Sequence, residues 1–339
     1  MLSNARRWTI VVCCLLLLAS SATLGACSQG APSQPTQAPV TEATQAPKPV
    51  KIVMARVAGD PFYKTVECAA IEEAKKLGVD LQIQSLANFE IPEQTRVLDA
   101  IIQTKPDVII TAPVDANGVV PAFQRAKDAG VRMVGFDTTL ADKSLVETEV
   151  VTDNYEQGKM AADALAEALG KKGKVFVLSA MPGLTTTDEE QKGFEDQIAT
   201  YPDIKYLGTQ FHNQDQNRGV SIVNSMLQAH PDLGGIFTTT TFGSQAAATA
   251  LREANKIGAV KVIGYDTTEE IIQGLKDGVF VAVLAYEARQ EGILAVDAAV
   301  KVARGEPVDK MYKVGNKILT KDNVDNPENL GLRYVSECP

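Results

Sequence analysis

Short apolar segments alternate with amphipathic segments of helical period from Lys51 onward. The predicted strands of this first series are 51–57, 79–86, 107–113 and 131–137, and its predicted helices are 62–77, 92–104 and 117–129. The helices end at strong stop signals, Gly78, Pro106 and Gly130. Strands that are apolar throughout are typical of a parallel sheet covered on both faces, so the pattern predicts an α/β fold.

The extended segment 146–154 interrupts this alternation and has no obvious partner strand in the series. One sheet of about nine strands would be large, and the interruption favours two similar doubly wound parallel-sheet lobes. The second series has predicted strands at 173–180, 204–212, 234–241, 260–266 and 279–286, and predicted helices near 155–169, 188–200, 216–229, 243–255 and 269–277. A long helix at 287–305 and a short strand-like run at 311–320 follow.

Polar and aromatic side chains follow most of the predicted strands. In open parallel sheets, ligands bind beyond the carboxyl ends of the strands, so these residues are candidates for a binding site. Carboxylates accept hydrogen bonds from hydroxyl groups, and aromatic faces fit the C–H side of a sugar ring. The set therefore indicates a sugar site. Its members are Asp60, Phe62, Tyr63, Asp137, Thr138, Asp188, Glu190, Gln214, Thr240, Phe242, Tyr265, Asp266 and Tyr286.

Single members of this set also have structural interpretations. Asp60 precedes a proline and is a good helix N-cap, and one of the two aromatics after it is expected in the core of the first helix. Asp137 and Asp266 suit turns, and Asp188 suits a helix cap. The joint placement of these residues at strand ends is therefore a stronger signal than any one of them.

No catalytic set is visible in the sequence. His212 and His230 are too far apart for a metal motif, although His212 ends a strand near the candidate site. The glycine-rich loops that bind nucleotide phosphates do not occur. The net charge of −9 makes nucleic acid an improbable partner. We therefore expect no metal, no cofactor and no enzymatic activity.

Residues 1–26 are predicted to be a signal peptide, because Arg6 and Arg7 precede a short apolar run and small residues. A membrane anchor is the alternative, but the run is short for one. The residues Leu24-Gly25-Ala26-Cys27 resemble the lipobox of bacterial lipoproteins, which implies cleavage before Cys27 and its lipidation. Residues 27–49 would then form the lipidated cysteine and a Pro- and Gln-rich disordered tether.

Two cysteines remain after the signal peptide and Cys27, namely Cys68 and Cys338. An even pair in an oxidising compartment suits a disulfide. Two separate thiols are the alternative, since the sequence does not show whether these residues are close in space.

From Lys51 to about Thr320, the chain resembles the type I periplasmic sugar-binding proteins of the ribose and glucose/galactose group. The matching stretches, in order, are GDPFYKTVECAAIEEAKKLG, KPDVIITAPVDANG, VVTDNYEQGKMAAD, AHPDLGGIFTTTT, KVIGYDTTEEIIQGLKDG and ARGEPV. The resemblance implies two lobes that are joined by a three-stranded hinge and close on the ligand. It also implies a monomer that delivers the ligand to an ABC permease.

Lobe boundaries follow from the same resemblance. The hinge crossovers are expected near 150–154, 284–288 and 312–318. The N-terminal lobe is expected at 50–152 and 287–314, and the C-terminal lobe at 153–286 and 315–339.

Several residues match binding positions of that family. Asp60 and Phe62 match the polar and aromatic pair after the first strand, and glucose/galactose binders also have aspartate at the polar position. Asp137 and Asp266 match the acidic acceptors of the two lobes. Thr240 stands where the family usually has asparagine, and Tyr286 stands where it has glutamine or asparagine.

Other positions depart from the family pattern. Glu190 stands where an arginine usually precedes the Gly193-Phe194 pair, and Thr138 stands where an arginine often follows the first-lobe aspartate. Gln214 replaces the aromatic that closes on the sugar. Arg56, in the first strand, is a candidate for supplying the missing cation. The ligand or its pose is therefore expected to differ from ribose.

The expected function is that of a lipid-anchored, extracytoplasmic protein that captures a monosaccharide for a sugar ABC importer, at the outer face of the cell membrane or in the periplasm. An aldohexose such as glucose or galactose is favoured. A polyol, a nucleoside or a furanone-type signal as ligand, or a sensory role toward a membrane receptor, are the alternatives. A repressor with the same core would need a DNA-binding helix pair in place of the secretion signal.

Overall fold

The computed structural model describes residues 49–338. The predicted signal peptide, Cys27 and tether residues 28–48 lie outside these residues. In the described part of the chain, none of the helices has the combination of length and apolar character that a membrane span requires.

Twelve strands and ten α-helices alternate along residues 49–338. The strands are β1 (Lys51–Val57), β2 (Asp80–Leu86), β3 (Val108–Thr111), β4 (Arg132–Phe136), β5 (Thr148–Thr152), β6 (Gly173–Ser179), β7 (Ile204–Phe211), β8 (Leu233–Thr238), β9 (Lys261–Tyr265), β10 (Ala282–Tyr286), β11 (Met311–Val314) and β12 (Asn316–Leu319). The helices are α1 (Pro61–Leu77), α2 (Ile91–Gln103), α3 (Val120–Asp128), α4 (Asn154–Ala168), α5 (Thr185–Ile198), α6 (Gln216–Ala229), α7 (Thr241–Glu253), α8 (Glu269–Lys276), α9 (Ala288–Arg304) and α10 (Pro327–Leu330).

These elements form two six-stranded sheets, with strand orders β11-β5-β4-β3-β1-β2 and β12-β10-β9-β8-β6-β7. All neighbours are parallel except β10 and β12, which pair antiparallel. Helices α1, α2, α3 and α9 pack on the first sheet, and α4 to α8 pack on the second. We call these units the first and second lobes. The predicted fold class, two doubly wound α/β lobes, is confirmed.

Two sequence-based assignments need correction. The segment that lacked an obvious partner contains β5, which lies between β4 and β11 in the first sheet. The strand-like run at 311–320 is two strands, with β11 in the first sheet and β12 in the second. Local periodicity does not reveal either feature, because β5 pairs with β11 across a long sequence interval and β12 pairs with β10 in the other sheet.

The chain passes between the sheets three times. The passages follow β5, follow β10 and separate β11 from β12 at Gly315. Short segments that connect two compact lobes can act as hinges, in which a few residues absorb the rotation of one lobe relative to the other.

Close helix contacts depend on glycine in both lobes. In the second lobe, a Cβ atom at Gly193 on α5 would lie 2.0 Å from the Tyr155 carbonyl oxygen of α4. In the first lobe, a Cβ atom at Gly292 on α9 would lie 2.3 Å from the Val66 carbonyl oxygen of α1. Only glycine allows these backbones to approach so closely.

The segment after α10 links the second lobe back to the first. The Tyr334 amide donates to the Thr267 carbonyl beyond β9, and the Val335 amide donates to the Thr65 hydroxyl on α1. A disulfide then joins Cys338 to Cys68 on α1, with the two Cα atoms 5.1 Å apart. Of the two possibilities that the sequence left open, the structure has the bridge. We call residues 331–338 the C-terminal strap.

Candidate functional site

A cavity of about 430 Å³ lies between the two lobes, beyond the carboxyl ends of their parallel strands. Cavities of about 300–1,000 Å³ are typical of small-molecule sites. It is lined by Val57, Ala58, Gly59, Asp60, Phe62, Tyr63, Asn88, Phe89, Asp137, Thr138, Leu184, Thr186, Thr187, Gln214, Thr239, Thr240, Thr241, Phe242, Tyr265, Asp266 and Tyr286. Eleven of the predicted site residues are in this set.

Asp60 caps a helix and also lies in the cavity wall. Its carboxylate caps α1 by accepting a hydrogen bond of 2.8 Å from the Phe62 amide, and it also lines the cavity. Burial raises the pKa of Asp60, while the amides of Phe62 and Tyr63 act in the opposite direction. The capping bond therefore fixes the carboxylate at the cavity wall.

Asp137 follows β4 directly and has a φ of 60°, a left-handed conformation that is unusual for a residue other than glycine. Its amide donates to the Val150 carbonyl at 3.0 Å and to the Glu291 carboxyl at 2.6 Å. Its carboxylate accepts a 2.6 Å hydrogen bond from the Tyr63 hydroxyl. Burial raises the pKa of Asp137 to about 7, and the nearby acids add to this effect.

Asp266 occupies the equivalent place in the second lobe. It follows β9 directly, has a φ of 71° and donates its amide to the Leu284 carbonyl at 3.1 Å. Its carboxylate accepts a hydrogen bond from the Thr241 hydroxyl. Burial raises the pKa of Asp266 to about 7, and the charge of Asp60 raises it further. Strained aspartates at matching strand ends, facing one cavity, are typical of a functional site.

Aromatic rings form the rest of the wall. The rings of Phe62 and Tyr286 lie 5.7 Å apart, and those of Tyr265 and Tyr286 lie 5.3 Å apart in an edge-to-face arrangement. Phe89 stacks on Tyr63 at 6.3 Å. These rings provide flat apolar surface next to the carboxylates.

Glu190 does not line the cavity. Its side chain is fully buried, and one carboxyl oxygen accepts hydrogen bonds from the hydroxyls of both Tyr265 and Tyr286, the latter at 2.8 Å. Burial raises the pKa of Glu190 well above its ordinary value. Because both hydroxyls are bonded to Glu190, the two tyrosines have little hydroxyl-donor capacity left for a ligand.

Arg56 and Asp188 also lie outside the cavity lining. Arg56 forms an ion pair with Glu67 on α1, so the expectation that it supplies a cation to the site is not met. The Asp188 carboxylate accepts a 2.8 Å hydrogen bond from the Gly183 amide and so closes the loop before α5.

Thr240 is the N-cap of α7, since its hydroxyl accepts from the Gly243 amide at 3.1 Å. The same hydroxyl shares a 2.9 Å hydrogen bond with His212, which is buried next to the lining residues. Burial lowers the pKa of His212 to about 4, so the ring is neutral at physiological pH.

Sequence reasoning missed several lining residues. Asn88 and Phe89 follow β2, and the rule that selected the other strand ends selects them too when it is applied to that strand. Thr239 and Thr241 flank the predicted Thr240. Thr186 and Thr187 lie in the Thr-rich start of α5.

Known proteins that resemble this chain in sequence and in structure belong to one family of binding proteins. A family model described as "Periplasmic binding protein domain" matches residues 51–307. The ribose import binding protein of Bacillus subtilis (strain 168) is 30% identical over 263 residues, which are 77% of this chain and 84% of that protein.

Two solved structures are similar over nearly the whole described chain. An ABC transporter solute-binding protein from Agrobacterium vitis, with bound alpha-D-tagatopyranose, is 30% identical at a TM-score of 0.83 and covers 85% of this chain and 100% of that one. Another ABC transporter solute-binding protein from Agrobacterium vitis, with bound D-fucose, is 26% identical at a TM-score of 0.80. It covers 84% of this chain and 100% of that one.

Proposed function

This chain belongs to the type I group of periplasmic sugar-binding proteins, and we therefore propose that it captures a monosaccharide outside the cytoplasm for an ABC importer. The observation that carries this proposal is the pair Asp137 and Asp266, which face one cavity from matching strand ends of the two lobes. Aspartates accept hydrogen bonds from sugar hydroxyls, and the aromatic wall suits the apolar face of a sugar ring.

Capture proceeds by lobe closure without chemistry. The Thr139 amide of the first lobe donates a 3.0 Å hydrogen bond to the Thr185 hydroxyl of the second lobe, so the lobes already meet next to the cavity. A ligand that contacts both lobes favours this closed arrangement by the difference in its contacts between the open and closed states. The membrane subunits of the importer would then recognise the closed monomer.

The sugars in the names of the compared proteins are ribose, tagatopyranose and fucose. They support a monosaccharide ligand as a class. Within this class we propose an aldohexose, because Asp60 matches the aspartate of glucose/galactose binders. The position of Asp60 in the cavity wall supports this narrower proposal.

A thermal-shift screen against pentoses, hexoses, polyols and nucleosides tests the function. A specific ligand at a hundred times its dissociation constant adds about 2.7 kcal/mol to the free energy of unfolding. Asp60→Ala should weaken binding by roughly 1–3 kcal/mol, because polar groups in a dry site lose a partner. Asp232→Ala is the control, because it removes an exposed acid that lies before β8 and outside the cavity lining. Stabilisation by nucleosides or polyols, with no response to sugars, would contradict the proposal.

Lipid attachment at Cys27 is a separate proposal, supported by the Leu24–Cys27 stretch. We expect the wild-type protein in bacterial cells to fractionate with membranes and the Cys27→Ala variant to leave them. Mass spectrometry of the N-terminal peptide is the check, and an unmodified Cys27 in the mature wild type would refute the proposal.

A further inference from the structure

The cavity is acidic and has no compensating cation among the described residues that line it. Three aspartates, Asp60, Asp137 and Asp266, contribute to the wall, whereas lysine, arginine and histidine are not represented there. Two more buried acids, Glu190 and Glu291, lie directly behind the wall through their bonds to Tyr286 and to the Asp137 amide. Any charge that these five acids carry is negative, and the described lining has no cation to balance it.

Two cations that are close to Asp60 in sequence form ion pairs with an acid outside the cavity lining. Arg56 and Lys64 both pair with Glu67 on α1. Within residues 49–338, no group of three or more His, Cys, Asp and Glu side chains is arranged to hold a metal ion.

A neutral sugar leaves this charge uncompensated. Burying ionised carboxylates without a counter-charge is costly, and three of them that share one site repel one another. A protonated primary amine removes both costs, since it is compact, carries one positive charge and donates three hydrogen bonds.

We propose that the ligand is an amino sugar whose ammonium group binds at the acidic wall to which Asp60, Asp137 and Asp266 contribute. This inference rests on the proposed function and narrows its substrate class. The hydroxyls of Thr187, Thr239 and Thr241 donate hydrogen bonds within the protein, but their oxygens can still accept from sugar hydroxyls. The aromatic wall remains for the C–H face.

The same charges exclude neighbouring ligand classes. Uronic acids and sugar phosphates bring negative charge into an acidic site. Free amino acids have an ammonium group, but their carboxylate would find no cation in the described lining. N-acetylated amino sugars have the right shape but lack the charge.

Proton release accompanies binding of such a ligand. The pKa of Asp137 and that of Asp266 are both raised to about 7, so each carboxyl is partly protonated in the free protein near neutral pH. An ammonium group favours the ionised forms, so binding releases protons and strengthens as pH rises from about 5 to about 7. The two carboxyls act on each other, and Asp60 and Glu190 act on both. Tyr63, Tyr286 and Glu291 also face Asp137, and Tyr334 also faces Asp266.

Isothermal titration calorimetry of the purified protein tests the inference. The ligands are D-glucosamine, D-galactosamine and D-mannosamine, each with its neutral parent hexose and its N-acetyl derivative. We expect at least one amine to bind about 100-fold more tightly than both of its counterparts at pH 7. Titrations in two buffers with different ionisation enthalpies should reveal the released protons.

Asp266→Asn removes one charge while keeping the side-chain shape. It should reduce the ratio of the amine's affinity to that of its neutral parent by about 10-fold or more, beyond any loss that both ligands share. Asp232→Asn removes the same charge at the opposite end of the second sheet and should leave the preference unchanged. Asp137→Asn is the second variant, and a thermal melt of each variant checks that it is folded.

Three outcomes are distinguishable. A neutral hexose that binds as tightly as its amine overturns the amino-sugar inference but leaves the proposed function intact. Unchanged amine preference in both aspartate variants overturns the placement of the ammonium group. Failure of every amino sugar and every neutral sugar to bind overturns the inference and the proposed function together.

Discussion

Removal of the Cys68–Cys338 disulfide is a perturbation whose effect on stability can be calculated from the structure. The bridge closes a loop with a sequence separation of 270 residues. In the chain-entropy model, a crosslink of that span stabilises the folded protein by roughly 5–6 kcal/mol, and native disulfides typically contribute about 2–5 kcal/mol. We expect C68S/C338S to lose about 2–5 kcal/mol of unfolding free energy.

The assay is guanidinium denaturation followed by circular dichroism, with oxidised wild type and the variant compared under identical conditions. Cys338→Ser alone is the matched control, because Cys338 is exposed whereas Cys68 is buried in α1. A loss equal to that of the double variant assigns the cost to the bridge and not to packing of Cys68. A difference below about 1 kcal/mol between wild type and both variants would refute the reasoning.

The bridge also connects the two lobes. The C-terminal strap bonds to Thr267 in the second lobe before it reaches Thr65 and Cys68 in the first. We expect the lobes to unfold together in the oxidised protein and in separate transitions once the strap is free.

Three further predictions concern the packing and charges around the site. Gly193→Ala should destabilise the protein by at least about 2 kcal/mol in urea denaturation, because the new Cβ atom meets the Tyr155 carbonyl; an unchanged midpoint would contradict this contact. Glu190→Leu should lower the free energy of unfolding by roughly 2–6 kcal/mol in the same assay, since two buried tyrosine hydroxyls lose their acceptor. Glu190→Gln should retain most of the stability, and equal losses in the two variants would contradict the role of Glu190 as the acceptor. Asp266→Asn should raise the unfolding free energy of the ligand-free protein at pH 8 but not near pH 4. The pKa of Asp266 is raised from 3.8 to about 7 in the folded protein, so ionisation lowers wild-type stability as pH rises through that interval. A gain in stability that is independent of pH would contradict the raised pKa.

Local sequence signals identified most of the fold and much of the cavity lining. Parallel strands that are buried on both faces have a clear apolar pattern, and the rule of strand ends selected Asp137 and Asp266 because the fold requires those ends to meet. Asn88 and Phe89 obey the same rule at the end of β2.

Tertiary contacts decided the positions that sequence reasoning misplaced. Arg56 lies in β1, and its partner Glu67 lies in the following helix, α1. The apolar pattern of the strand does not predict that these two residues form an ion pair. Glu190 lies on the buried face of α5 behind the tyrosines, and that packing is a tertiary contact that the rule of strand ends does not reveal. The disulfide joins positions whose proximity depends on the strap crossing between lobes.

A crystal structure of the protein with the sugar that gives the largest thermal shift tests sugar capture between the lobes most directly. We expect one sugar ring in the cavity, in contact with Asp60, Asp137 and Asp266 and packed against the aromatic wall. A sugar bound instead in the outer groove lined by Arg252 and Glu270, with the cavity between the lobes empty, would contradict the proposed site.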